Sequence, residues 1–155
     1  MKVFLRELEI KDAEIAWKWR NDPEVWKLTG RKWNNYVTLE IEKEWIKKVK
    51  KEKNSVRFAI CVEDEKEYVG NVQLTNIEKE SAIFHIFIGN KNFWGKGIGE
   101  KATKLLIEYA KSKLSLNEIK LLVKKDNKAA LKIYEKVGFH IDNVDNENIS
   151  MIYKL

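Results

Sequence analysis

Cysteine and proline are almost missing from this chain: Cys61 and Pro23 each stand alone among 155 residues. A single cysteine excludes an internal disulfide. The two histidines, His85 and His140, lie too far apart in sequence for metal-site spacing, so no metal is expected. No apolar run approaches the roughly 18 residues of a membrane span. Met1-Lys2-Val3-Phe4-Leu5-Arg6 lacks the apolar stretch of a signal peptide, so the expected location is the cytoplasm, without a membrane partner. Arginine is scarce as well, at Arg6, Arg20, Arg31 and Arg57 only among 30 basic residues. The net charge of +6 favours an anionic partner. The lysines are nevertheless scattered among glutamates rather than gathered on one element, which argues against nucleic acid.

What is present suits one domain over residues 1–155. A hydrophobic fraction of 44%, with 11% aromatics, is enough for a sizeable core. A strand is expected from Val3 to Leu8 and a helix from Asp12 to about Arg20, broken at Asn21-Asp22-Pro23 because proline disfavours helix before it. Thr38 can cap a second helix running to about Lys51, with Ile41, Trp45 and Val49 on its apolar face and Glu44 placed to pair with Lys48. Three strands, Val56 to Val62, Tyr68 to Ile77 and Ala82 to Ile88, are separated by short charged turns and therefore read as an antiparallel meander. The middle strand alternates Val72 and Leu74 with Asn71, Gln73 and Thr75, which predicts one core face and one wet face. Ile98, Ala102, Leu105, Leu106, Tyr109 and Ala110 form a helical stripe. A buried strand at Ile119 to Val123 and a short helix from Asn127 to Gly138 follow. A hairpin of Phe139 to Val144 with Ile149 to Tyr153 closes the chain. This order is mixed α+β.

The run Trp94-Gly95-Lys96-Gly97-Ile98-Gly99 separates the third meander strand from the long helix. Its glycines permit backbone conformations in which successive N–H groups point at one ligand, and the helix N-terminus adds its positive end. Two phosphate motifs fail here. A nucleoside-triphosphate loop needs Lys-Ser or Lys-Thr after its last glycine, whereas Gly99 precedes Glu100-Lys101. A dinucleotide fingerprint needs a small residue at the place of Glu100. The run alone is equally compatible with an ordinary tight turn.

Together with Asn127-x-x-Ala130-x-x-x-Tyr134-x-x-x-Gly138-Phe139, this run resembles the signature of the GNAT superfamily of acetyl-CoA-dependent N-acetyltransferases. Trp19-Arg20-Asn21-Asp22-Pro23-Glu24-Val25 is similar to the N-terminal pattern of the branch containing bacterial ribosomal-protein N-terminal acetyltransferases. The resemblance spans essentially the whole chain. It implies a mixed, mostly antiparallel sheet of about six to seven strands flanked by about four helices, with acetyl-CoA as acetyl donor.

On the resemblance, backbone donors from Trp94, Gly95, Lys96, Gly97, Ile98 and Gly99 hold the cofactor's pyrophosphate. The main chain at Phe87-Ile88 pairs with its pantetheine arm, and Asn127 with Ala130 contacts that arm, although Asn127 reads equally well as a helix cap. Tyr134 is the expected general acid, since a phenol of ordinary pKa near 10 stays protonated at neutral pH and can protonate a departing thiolate. The usual carboxylate base has no counterpart in Ala82-Ile83-Phe84-His85-Ile86 or Leu121-Leu122-Val123. His85 is the nearest titratable substitute, with a plain sheet histidine, or water leading to Glu24 or Glu40, as alternatives. Trp26, Trp33 and Tyr36 are candidates for shaping the acceptor groove. The expected acceptor is a primary amine, either a protein N-terminus or a small molecule such as an aminosugar or polyamine. A non-catalytic coenzyme A sensor is the rival, and an oligomer is open.

Overall fold

The computed structural model describes residues 1–27, 35–64 and 66–155. Strand β1 (Val3–Glu7) leads through a 3-10 turn at Ile10–Asp12 into α1 (Ala13–Arg20), the four-residue α2 (Pro23–Trp26) and α3 (Leu39–Lys50). The meander is β2 (Val56–Val62), β3 (Glu67–Thr75) and β4 (Ser81–Ile88). Then come α4 (Ile98–Lys113), β5 (Glu118–Lys124), α5 (Lys128–Val137), β6 (His140–Val144) and β7 (Asn148–Lys154). The seven strands make one sheet in the order β1-β2-β3-β4-β5-β7-β6. Only β4 and β5 are parallel neighbours.

The period-two alternation of the strands gives the sheet two covered faces. On one, Val72, Leu74, Phe84, Ile119 and Leu121 pack with Ile98, Ala102, Leu106 and Ala110 of α4. Fully burying one aliphatic side chain of this kind contributes about 1.5–3 kcal/mol. On the other, Ala59, Cys61 and Tyr68 meet Ala13, Ala16 and Trp19 of α1 and Ile46 of α3. The N-terminal helices are braced by the Trp19-to-Val25 segment. Gly89, just past β4, lies against Trp19 so closely that a Cβ there would be 2.0 Å from the indole. Asn21 donates from Nδ2 to the carbonyls of Trp17 and Val37 and accepts from the Val37 N–H. Asp22 caps α2 by accepting from the Glu24 N–H, with Pro23 in the first helical turn where its missing donor costs nothing.

Several expectations are corrected. The chain turns helical again straight after the Pro23 break, so Trp26 is a buried α2 residue rather than a loop residue. On α3, Ile41 is 52% exposed, while Glu42, Ile46 and Val49 are buried, because Arg20 draws the Glu42 carboxylate inward. Glu44 pairs with Lys47, one residue closer than Lys48. On α4 the buried stripe takes in Thr103 and Ile107, and Leu105 is exposed. The supposedly wet face of β3 is not wet: Asn71 and Gln73 are buried beneath the N-terminal helices. Trp33 lies outside the described residues.

Candidate active site

The glycine run forms the turn into α4. Gly95 and Gly97 have φ of 73° and 78°, left-handed values that strain any residue with a Cβ, and Gly97 is the N-cap of the helix. Lys101 is the first helical residue whose N–H reaches back, to the Gly97 carbonyl at 3.2 Å. Helix geometry therefore leaves the amides of Ile98, Gly99 and Glu100 without intrahelical acceptors, beside the positive end of the macrodipole. A Cβ built at Gly95, Gly97 or Gly99 meets nothing within 4 Å, so the loop faces open space. Glu100, the acid that follows the run in sequence, is held by Lys104 at 3.1 Å and Lys136 at 3.2 Å, which push its pKa down and offset its charge against an arriving anion.

Upstream of this loop the sheet opens. Pairing between β4 and β5 covers Ser81 to Ile83 only, and the strands then part. The Gly89 N–H bonds to the Val69 carbonyl at 2.8 Å, so the antiparallel alternation turns the main chain of Phe87 toward β3 and that of Ile86 and Ile88 toward the gap. Ile86, next to the expected Phe87, thus also presents its main chain to the gap. Ile88 offers its side of the gap with its carbonyl already accepting from Trp94 Nε1 at 2.8 Å.

Two cavities meet at the splay. One, of about 630 Å³, lies over the glycine loop and is lined by Trp94, Gly95, Gly97, Ile98, Gly99, Ala130 and Ile133. The other, of about 290 Å³, lies on the opposite face, under Trp26 and Trp45 and over the strand residues Arg57, Asn71, Gln73, Thr75 and His85. Ile86, Phe87, Asn127 and Tyr134 line both. The two spaces thus share a wall at the gap between β4 and β5.

Tyr134 is therefore placed at the junction. It is 9% exposed, packed edge-on against Phe84 and Phe139, and its hydroxyl makes no hydrogen bond to a described residue. Burial alone pushes its pKa up to about 12. His85 opens onto the second cavity, in register with Gln73. Asn127 caps α5 by accepting the Ala130 N–H at 3.2 Å, as its helix-cap reading anticipated. Lys96 is exposed, its ammonium 5.3 Å from the Phe93 ring centroid. Glu24 reaches the edge of the first cavity, 3.4 Å from Lys91, whereas Glu40 lines neither cavity and pairs with Lys43. Tyr36 is 63% exposed, edge-on to Trp17, and lines neither cavity.

The sequence reading missed Arg20, Trp45, Arg57, Asn71 and Gln73. Arg20 is buried with Glu42, its Nε 3.1 and 3.2 Å from the two carboxylate oxygens, and its guanidinium carbon lies 4.6 Å from the Trp45 centroid and 5.2 Å from Phe87. Desolvation pushes the Glu42 pKa up and Arg20 opposes it. Asn71 accepts from the Tyr68 hydroxyl. Polar residues at alternate positions of a central strand were the available signal.

A helix N-terminus with free amides, a sheet parted beside it and a buried phenol between two cavities form a site suited to a long anionic ligand. A sequence model of the acetyltransferase (GNAT) domain matches residues 2–140, and the chain belongs to that family. It is 30% identical over 141 residues to the acetyltransferase PseH of Campylobacter jejuni, covering 91% of this chain and 85% of the relative. Among solved structures, spermidine N-acetyltransferase from Vibrio cholerae, in complex with CoA and spermine, superposes with a TM-score of 0.87 at 23% identity, covering 98% of this chain and 95% of the other. Apo FdhC, a nucleotide-linked sugar GNAT, superposes at 0.83 and 23% identity, covering 98% and 86%. The chain is thus an N-acetyltransferase that uses acetyl-CoA. Among the described residues no cluster of His, Cys, Asp or Glu could hold a metal, and no helix is long and apolar enough to cross a membrane.

Proposed function

We propose that the protein acetylates a small-molecule primary amine by direct transfer. The observation that carries this reading is the meeting of the two cavities at Tyr134. Bound acetyl-CoA supplies an acetyl group activated as a thioester. The amides of the Gly95-to-Gly99 turn and the first turn of α4 hold its pyrophosphate, and the main chain of Ile86 and Ile88 pairs with its amide-bearing arm. Asn127 and Ala130 flank that arm. Tyr134 keeps its proton at neutral pH and gives it to the departing sulfur. His85, which lines the second cavity where no described carboxylate does, takes the proton of the incoming amine.

The size of the acceptor space, about 290 Å³ under two tryptophans, favours a small molecule over an extended chain. The Trp19-to-Val25 segment prompted a protein N-terminus as acceptor. Its side chains are engaged in bracing α1, α2 and α3, so the pattern has a structural use that does not call for a protein substrate. The fold leaves the choice of amine open, because its neighbours include enzymes named for a polyamine and for a nucleotide-linked sugar. Purified protein with acetyl-CoA and a panel of peptides, polyamines and aminosugars should release free thiol with a small amine. Turnover of peptides alone would replace this reading with the protein N-terminus, and tight cofactor binding without any turnover would overturn transfer.

A further inference from the structure

We propose that the acceptor amine also carries an oxyanion, which the second cavity binds at Arg57; this rests on the transferase reading above and deepens it. Arg57, Gln73 and His85 are register partners on β2, β3 and β4, a polar row running across the cavity floor to the splay. The charged groups lining that cavity are Arg20, Arg57 and Lys124, and no described Asp or Glu lines it. A polycationic acceptor would need carboxylates here, and this lining repels it.

The two arginines differ in how far their charge is already matched. Arg20 is paired with Glu42, a carboxylate as buried as itself, with both oxygens engaged. Arg57 is 13% exposed, yet its ion pair is a long contact at 3.3 Å to the more exposed Glu52, and its Nε is buried without a hydrogen-bond partner. Its guanidinium carbon lies 5.2 Å from the Trp45 centroid, so the plane is fixed against the cavity roof. Burial and the neighbouring Arg20 charge both weaken its hold on its proton. A buried donor with no acceptor, beside a second cation, is relieved by a ligand oxygen that is itself negative. Two interstrand spacings separate the backbones of Arg57 and His85, about 10 Å. Arg57 and His85 stand on the same face of the sheet and line the same cavity, so one acceptor can present its oxyanion to the first and its amine to the second.

The test uses the folded chain saturated with CoA, so that the glycine cradle is filled, titrated calorimetrically with inorganic phosphate. Saturable phosphate binding is expected, weakened at least about tenfold by Arg57→Met and partly retained by Arg57→Lys, with CoA affinity unchanged in both. Thiol release should show kcat/KM at least about tenfold higher for glucosamine 6-phosphate than for glucosamine, and lower still for spermidine. Absence of saturable phosphate binding, binding indifferent to Arg57→Met, or faster turnover of spermidine would each overturn the anion site. Those outcomes are distinct from failure of the transferase reading, which would appear as CoA binding with no thiol release from any amine.

Discussion

Tyr134 and Glu42 show how burial acts on single residues. Replacing Tyr134 with Phe removes one hydroxyl from a packed site without disturbing the glycine loop, so turnover should fall about 100-fold while CoA affinity measured by calorimetry stays the same. Unchanged turnover would remove Tyr134 from the acid role. The pH dependence has a definite sign. Because the folded pKa is raised to about 12 from an unfolded value of 10, stabilisation linked to the protonated phenol is complete below pH 10 and is lost as the pH rises through 12. Thermal melts of the wild type should therefore lose ground to those of the Phe variant above pH 10. Glu42→Gln leaves Arg20 charged in a buried site without its counter-ion, and urea denaturation should show a loss of about 3 kcal/mol. Replacing the pair together, Arg20→Met with Glu42→Leu, should recover most of that loss; a single variant as stable as the wild type would make the pair dispensable.

At the scale of elements, the turn before α4 separates binding from packing. A Cβ at Gly97 meets no protein atom, so Gly97→Val costs stability through its left-handed backbone only, about 1–2 kcal/mol, yet fills the space in front of the amides. CoA affinity should drop at least about tenfold in the folded variant, and normal affinity would rule the cradle out. This turn was legible in the sequence because glycine spacing and a following amphipathic helix are local signals. The meander and the closing hairpin were legible for the same reason, through short charged turns between alternating strands. The acceptor side was not. Arg20 on α1, Trp45 on α3 and Arg57 on β2 converge only once the helices fold over the sheet, and no local pattern in any of these segments encodes that meeting. Alternation read Asn71 and Gln73 as wet because polarity along a strand says which residues share a face and not what covers it.

Across the whole molecule, the pairing of β4 with β5 through three residues divides the sheet into a four-stranded part, β1 to β4, and a three-stranded part, β5, β7 and β6. Helix α4 lies in a buried core to which Phe84 of the first part and Ile119 of the second both belong. Cooperative unfolding depends on such joints, and a ligand that spans the gap adds backbone hydrogen bonds beyond Ile83, where β4 and β5 are not paired with each other. Hydrogen–deuterium exchange should consequently report two protection levels in the free protein, with β5 and β7 opening more readily than β2 and β3, and a single level with CoA bound. Equal protection of both parts without CoA would contradict that division. The donor substrate would then serve as an eighth strand, borrowed for one turnover, and each product release would return the enzyme to a looser mechanical state.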